Sequence, residues 1–194
     1  YTVEIPCETI YQKTNYLKTG TEVVLQPGDN GQALRTEELD LVNGKEVGRT
    51  TLSEQILQES KPRIVAVGTG NGKPKSGAPL IGDGVIITAD GQILTFSRKD
   101  QYKTTAYTHT DAGCDFYTAT QTRVHIGTVA VDPSVIPYGT RMFIVSNDGV
   151  YIYGVAVAED CGGAIKRDRM DLYFPTYAEC MAFGWRTCTV YFLG

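Results

Sequence analysis

Two carboxylates are the residues in this chain best placed to do chemistry. Asp160 and Asp171 stand on either side of a Gly-Gly turn in the stretch Ala158-Glu159-Asp160-Cys161-Gly162-Gly163-Ala164-Ile165-Lys166-Arg167-Asp168-Arg169-Met170-Asp171-Leu172-Tyr173-Phe174. A pair of carboxyl groups beside one loop can carry acid and base steps, because unlike surroundings separate their pKa values. Gly162 and Gly163 allow a backbone path that side chains would block, and leave room for a bulky ligand beside the main chain. The same residues also fit a surface loop with solvated charges. Taken alone they favour that reading, since Asp-rich glycine turns are common.

The elements that must position these groups are short strands. Tyr151 to Val157, before the stretch, is rich in β-branched and aromatic residues, and Leu172-Tyr173-Phe174 forms an apolar segment after it. Further strands are expected at Thr104 to Thr108, at Thr128 to Val131 (ending on Asp132-Pro133), and at Arg141 to Ser146. Asn147-Asp148-Gly149 is a hairpin turn into Val150 to Ala158. Thr176 followed by Glu179 is a capping box that opens a short helix through Phe183, stopped at Gly184. Thr187 to Leu193 reads as a last strand. About six short strands with one helix predict a small closed barrel, which leaves no exposed sheet edge.

Before this unit lies a different kind of sequence. Thr2 to Ile5, Glu8 to Gln12 and Val23-Val24-Leu25 are extended in pattern, and Pro27-Gly28-Asp29-Asn30-Gly31 is a turn cluster. Asn43-Gly44 is a strong hairpin signal. Thr50 to Glu59 fits a short helix from Ser53 as well as a strand, and Ile64 to Val67 is a strand. Apolar residues are thin here, which predicts elongated sheets around a small core. Residues 69 to 84 are dominated by Gly, Pro, Lys and Ser and read as a linker. Val85 to Phe96 reads as a hairpin around Asp90-Gly91.

The net charge of −4, from 18 basic and 22 acidic residues, argues against a nucleic-acid binder. No apolar run is long enough to cross a bilayer, and no signal peptide is visible at Tyr1, so the sequence reads as a mature or trimmed fragment. The five cysteines, at 7, 114, 161, 180 and 188, form no Cys-x-x-Cys, and only His109 and His125 can join them; neither a metal site nor a cofactor is expected. An odd count leaves at least one thiol free or paired outside the chain.

Residues 1 to 70 resemble the G-five domain of bacterial cell-surface proteins. The resemblance rests on Glu4-Ile5-Pro6, Leu17-x-x-Gly20, Gly28-x-x-Gly31, Asn43-Gly44-x-x-Val47 and Val67-Gly68-Thr69. It implies a wall-associated β module that binds N-acetylglucosamine polymers or serves as a spacer, with Cys7 a buried thiol. Residues 104 to 194 resemble the three-aspartate (3D) domain. Its motifs are Thr105-Ala106-Tyr107-Thr108, Gly127 to Pro133, Ile136-Pro137-Tyr138-Gly139-Thr140, Ala158-x-Asp160-x-Gly162-Gly163-Ala164-Ile165-Lys166 and Arg169-x-Asp171-Leu172. The naming aspartates fall on Asp132, Asp160 and Asp171. The expected fold is therefore mostly β: an elongated G-five-like module, a linker and hairpin over 71–103, and a small double-psi β-barrel with one or two short helices.

The second resemblance implies a lytic transglycosylase, secreted or wall-associated in a Gram-positive bacterium and acting as a monomer on peptidoglycan glycan strands. Such an enzyme cleaves the MurNAc-GlcNAc bond and leaves a 1,6-anhydro ring. The alternatives are a non-catalytic wall-binding protein and a hydrolytic muramidase. By position in the family motif, Asp171 takes the acid–base role and Asp160 is its neighbour. Asp132 belongs to the groove or fixes its own turn. Lys166, Gly162, Gly163, Tyr107 and Thr120 are the candidate substrate contacts. Cys161 stands where the family usually has Thr, and Arg167-Asp168 where it usually has Lys-Gly. Two disulfides are open, Cys114 with Cys161 and Cys180 with Cys188, beside the alternative of reduced, buried cysteines.

Overall fold

The computed structural model describes residues 1–72 and 76–194. Its chain divides into two compact units, Tyr1–Ile93 and Leu94–Gly194.

The first unit holds two three-stranded sheets. In one, β1 (Thr2–Ile5) pairs with β4 (Gly31–Val42), which pairs with β5 (Lys45–Gln58). In the other, β6 (Arg63–Gly70) lies between β2 (Thr9–Lys18), to which it is parallel, and β3 (Glu22–Gln26), to which it is antiparallel. A short pair, β7 (Leu80–Ile81) and β8 (Val85–Ile87), comes next. Asn43 and Gly44 both take positive φ, 53° and 74°, the geometry of a tight hairpin turn whose twist matches the strands it joins. That turn starts the β4–β5 ribbon at Val42↔Lys45, and three register shifts along β4 carry the pairing to Gln32↔Gln58. The alternative of a helix from Ser53 is thereby overturned: Thr50 to Gln58 is strand throughout. A helix there would strip β4 of its backbone partner, whereas β-branched Thr50, Thr51 and Ile56 suit the ladder. The buried core of this unit is small, formed by Leu17, Leu25, Ala66, Val85 and Ile87. Of the linker expected over 69 to 84, Thr69 and Gly70 belong to β6 and Leu80 and Ile81 to β7, while Lys73, Pro74 and Lys75 lie outside the described residues.

The second unit is built on β9 (Ile93–Tyr107), β10 (Thr128–Ala130), β11 (Arg141–Ser146), β12 (Ile152–Asp160), β13 (Arg169–Tyr173), helix α1 (Tyr177–Phe183) and β14 (Arg186–Leu193). The hydrogen-bonded order β13-β10-β12-β11-β14-β9 returns to β13 through a parallel β9–β13 pair, so these six strands form a closed ring. Closure removes every edge, and the mixed parallel and antiparallel pairs are consistent with the double-psi arrangement that the resemblance implies. Side chains alternate along each strand. Met170 and Leu172 of β13, Val129 of β10, and Ala156 and Ala158 of β12 enter one buried cluster with Met142, Ile144, Val190 and Phe192. Thr176 caps α1: its hydroxyl accepts from the Glu179 N–H at 3.3 Å, and the Glu179 carboxylate accepts from the Thr176 N–H at 3.0 Å. Gly184 closes the helix at φ 64°. It is the one α-helix among the described residues.

Candidate functional site

The candidate site forms on the face of β9, β10, β12 and β13 that turns away from the barrel core. On β13 the neighbours of Asp171, Met170 and Leu172, are fully buried inside, so Asp171 points the other way. On β12 the same alternation would send Asp160 inward with Ala156 and Ala158. A bulge prevents this. Val129 pairs with Ala158, but Ala130 pairs with Asp160, and Glu159 is skipped. One extra residue reverses the facing of the residues after it. Ala130 also pairs with Asp171 on its other side. The two aspartates therefore flank Ala130 from neighbouring strands, their Cα atoms about 10 Å apart at the usual strand spacing.

β9 supplies the donors. Thr105 is the register partner of Asp171, and its hydroxyl donates to Asp171 Oδ1 at 2.8 Å. Tyr107, two residues on and so on the same face, donates its phenol to Asp160 Oδ2 at 2.8 Å. The Tyr107 ring is buried with Val124, Ala130 and Tyr173, and meets Tyr173 edge-on at 5.6 Å. Burial, then the Asp160 charge, raises the Tyr107 phenol far above its ordinary range, so it stays a donor. Asp160 Oδ1 accepts from the backbone N–H of Ala119 at 3.0 Å and of Cys161 at 2.9 Å.

The two carboxylates thus differ in surroundings. Asp160 accepts from three donors. Among the described residues Asp171 accepts from one neutral hydroxyl, and burial pushes its pKa up to about 6 against the opposing Thr105 bond. The charge of Asp111 adds to the rise, Arg169 opposes it, and Asp160 adds again. Asp111 is fixed by accepting from the Thr108 N–H at 2.9 Å.

Asp132 lies elsewhere in the loop structure. Its Oδ1 accepts from the Ser134 N–H and hydroxyl at 3.1 and 2.7 Å, and its Oδ2 from the Arg167 N–H at 3.0 Å. These bonds, the Arg167 one first, hold its pKa down to about 2. Asp132 therefore clamps the loop between Asp160 and Asp171 at Arg167, the residue that takes positive φ there, 58°. Lys166 is exposed and its charge bears on Asp132. Thr120 donates its backbone N–H to the Glu159 carbonyl at 3.1 Å, and its hydroxyl lies 2.9 Å from that of Thr118.

Two readings of the loop need correction. Neither Gly162 nor Gly163 takes positive φ, and a Cβ on Gly163 would meet no atom within 4 Å. The backbone path there does not exclude side chains; at Gly162 an added Cβ would press on Ile165 at 3.0 Å. All five cysteines are free thiols, so neither Cys114–Cys161 nor Cys180–Cys188 is bridged. The Cys161 thiol lies instead beside the Tyr138 phenol and, with burial, pushes that phenol up to about 12. Cys188 lies buried with its sulfur 3.0 Å from the Thr104 hydroxyl, and Cys180 is buried on α1. Cys7 is partly buried.

Sequence reading missed Thr105 and Asp111 as members of this site. Thr105 was open to a period-2 argument, since it shares a strand face with Tyr107. Asp111 had no comparable signal, because a turn brings it in. No group of three or more His, Cys, Asp or Glu among the described residues can hold a metal ion.

The family model of the G5 domain matches residues 1–70, and that of the 3D domain matches residues 127–194. Two Bacillus subtilis (strain 168) proteins are similar to the chain. YabE, whose name assigns it to cell wall shaping, is 32% identical over 158 residues, 76% of this chain and 36% of its own length. The cell wall-binding protein YocH is 36% identical over 90 residues, 44% of this chain and 29% of its own. The chain thus spans about a third of the length of these relatives. Among solved structures, MltA from E. coli is 29% identical with a TM-score of 0.36, over 40% of this chain and 27% of that one. The chain is thus similar to a G5 domain in its first part and to a 3D domain in its last.

Proposed function

We propose that this chain is a peptidoglycan lytic transglycosylase that acts at the cell wall, with Asp171 as its acid and base. The observation that carries the reading is the unlike pair: a buried carboxyl group with one neutral donor and a pKa near 6, facing a carboxylate held by three donors. Such a pair separates an acid from an anion. The names of the relatives support the cell wall as the place of action.

In the proposed reaction, protonated Asp171 gives its proton to the bridging oxygen as the C1–O bond of the muramic acid breaks. The sugar gains cationic character at C1, which the Asp160 carboxylate stabilises. Asp171, now ionised, takes the proton of the C6 hydroxyl as O6 bonds to C1. One new alcohol and one 1,6-anhydro ring result, Asp171 regains its proton, and no water is consumed. One group can serve both steps because its pKa lies near the working pH. Tyr107 and Thr120 line the proposed groove, and the G5 domain holds the enzyme on the glycan, raising the local concentration of substrate.

The test is a digest of purified peptidoglycan with the wild type and with Asp171→Asn, read by mass spectrometry. Anhydro-muropeptides from the wild type alone are expected. Reducing ends alone would replace the lyase with a hydrolytic muramidase. The relative named as cell wall-binding favours a second reading, a binding module in which the aspartates only hydrogen-bond sugar hydroxyls. Wall pull-down with no new product from either protein would establish that reading instead.

A further inference from the structure

We infer that Thr105 is a positioning residue that fixes the orientation of the Asp171 carboxyl group and keeps its proton on Oδ2. The inference deepens the acid role proposed above and rests on it for its bearing on turnover. Thr105 and Asp171 are register partners across the parallel β9–β13 pair, on the outward face of both strands. The hydroxyl donates to Oδ1 at 2.8 Å. An oxygen that already accepts an O–H bond is the poorer site for a second hydrogen, so the proton belongs on the other oxygen. Oδ2 takes no hydrogen bond from the described residues, which leaves it to meet a ligand. Thr is suited to this task in a strand, because branching at Cβ restricts χ1 and holds the hydroxyl in one direction.

The same strand repeats the device two residues on, where Tyr107 donates to Asp160. Asp160 and Asp171 sit on strands separated by β10 and share no hydrogen bond. Two hydroxyls from β9 therefore tie both carboxylates to one rigid element. That is the arrangement a two-carboxylate site needs, since small misplacements of reacting groups are costly.

Several groups face Asp171 and bear on its titration: Asp111 from the loop after β9, Arg169 on its own strand, and Asp160 on β12. Asp171 in turn acts on Tyr107, Cys114, Tyr153 and Cys180. The Thr105 bond opposes the effect of burial by favouring the charged form.

The experiment tracks the Asp171 carboxyl carbon by NMR against pH in the wild type, Thr105→Val and Thr105→Ser, with turnover of purified peptidoglycan measured on the same samples. In Thr105→Val the Asp171 midpoint should rise above the wild-type value of about 6, and Thr105→Ser should restore it. Turnover of Thr105→Val should fall on the order of 10- to 100-fold in kcat, with KM little changed and most of the loss recovered by serine. A midpoint in Thr105→Val equal to that of the wild type would overturn the inference, as would full turnover by the valine variant. Amide spectra report whether each variant is folded, and Thr105→Ala carries the same readouts if valine disturbs the strand. Should the wild type release no anhydro sugar, the lytic reading fails, and the titration alone decides whether Thr105 positions the carboxyl group.

Discussion

Two regions of this chain, the β4–β5 ribbon of the first unit and the outward face of the barrel in the second, treat charge in opposite ways. On the β4–β5 ribbon, charges are matched with charges: Arg49 meets Glu37 at 2.6 Å and Glu46 at 3.0 Å, and Arg35 meets Glu54 at 2.6 Å. On the outward face of the barrel, Asp160 and Asp171 are held by hydroxyls and backbone N–H groups, with no cation in hydrogen-bond contact among the described residues. A carboxylate locked to an arginine is fixed as an anion. Asp171, held by one neutral donor and partly removed from water, keeps both protonation states within reach. The first arrangement suits a surface that must stay soluble; the second suits a group that must give and take a proton.

Removing the group that keeps both protonation states should have the largest effect. Asp171→Asn should lower release of anhydro-muropeptides by roughly 10²- to 10⁴-fold, the usual scale for loss of a general acid. Asp160→Asn should cost less, because it leaves the proton donor in place. In the wild type, the rate should also fall about tenfold per pH unit above pH 6, as the required acid form of Asp171 is depleted. A rate that stays level from pH 6 to 8 would show that Asp171 is not the acid.

The site was legible in part. The carboxylates, the glycine turn and the strands around them are local features, and turn residues with β-branched runs expose them directly. Closure of six strands into a ring could also be read from their number and brevity. The facing of Asp160 was not legible, because it depends on the skipped residue Glu159, and a bulge is a property of two strands together. The role of Asp132 as a clamp depends on a contact with Arg167, 35 positions away. The free cysteines show the same limit: spacing says nothing of whether Cys161 will face Cys114 or the Tyr138 phenol. In the first unit, Thr50 to Gln58 has a pattern that suits either state, and only its pairing with β4 decides.

Stability against pH sharpens the contrast within the barrel. The folded-state pKa of Asp171 is raised, so the native state binds more protons than the unfolded chain between about pH 4 and pH 6, and stability falls as pH rises through that window. Asp171→Asn removes this penalty. It should stabilise the fold at pH 7 by up to about 3 kcal/mol, from a shift of about two units, and by nothing below pH 4. Asp132 has the opposite sign. Its folded pKa is depressed to about 2, so its contribution is complete above about pH 4 and is lost as pH falls towards 2. Asp132→Asn should therefore lower Tm at pH 7 and converge with the wild type in strong acid. Thermal melts of both variants across pH check the two signs. A destabilised Asp171→Asn at pH 7 would mean that its carboxylate is better compensated than the Thr105 bond alone allows.

The smallest effect is expected where charges are already matched. Glu37 accepts from Arg49, and its pKa is lowered by hydrogen bonds first to Tyr1 and then to Arg49. Glu37→Gln keeps the shape and removes the charge. Arg49 retains Glu46, with two bonds at 3.0 and 3.1 Å, so it is not left alone. Arg49 and Glu46 have side chains 46% and 45% exposed, where ion pairs contribute little and salt screens them, whereas the Glu37 side chain is covered, with 7% exposed. Melting of Glu37→Gln should therefore fall slightly below the wild type at low salt and by less at high salt. Release of anhydro-muropeptides should be unchanged, since no residue of the ribbon belongs to the carboxylate site. If instead Glu37→Gln lowered turnover on intact walls while sparing turnover on short glycan fragments, the matched charges would be holding a wall-binding surface in shape. The division of labour would then run through the ribbon as well as the barrel.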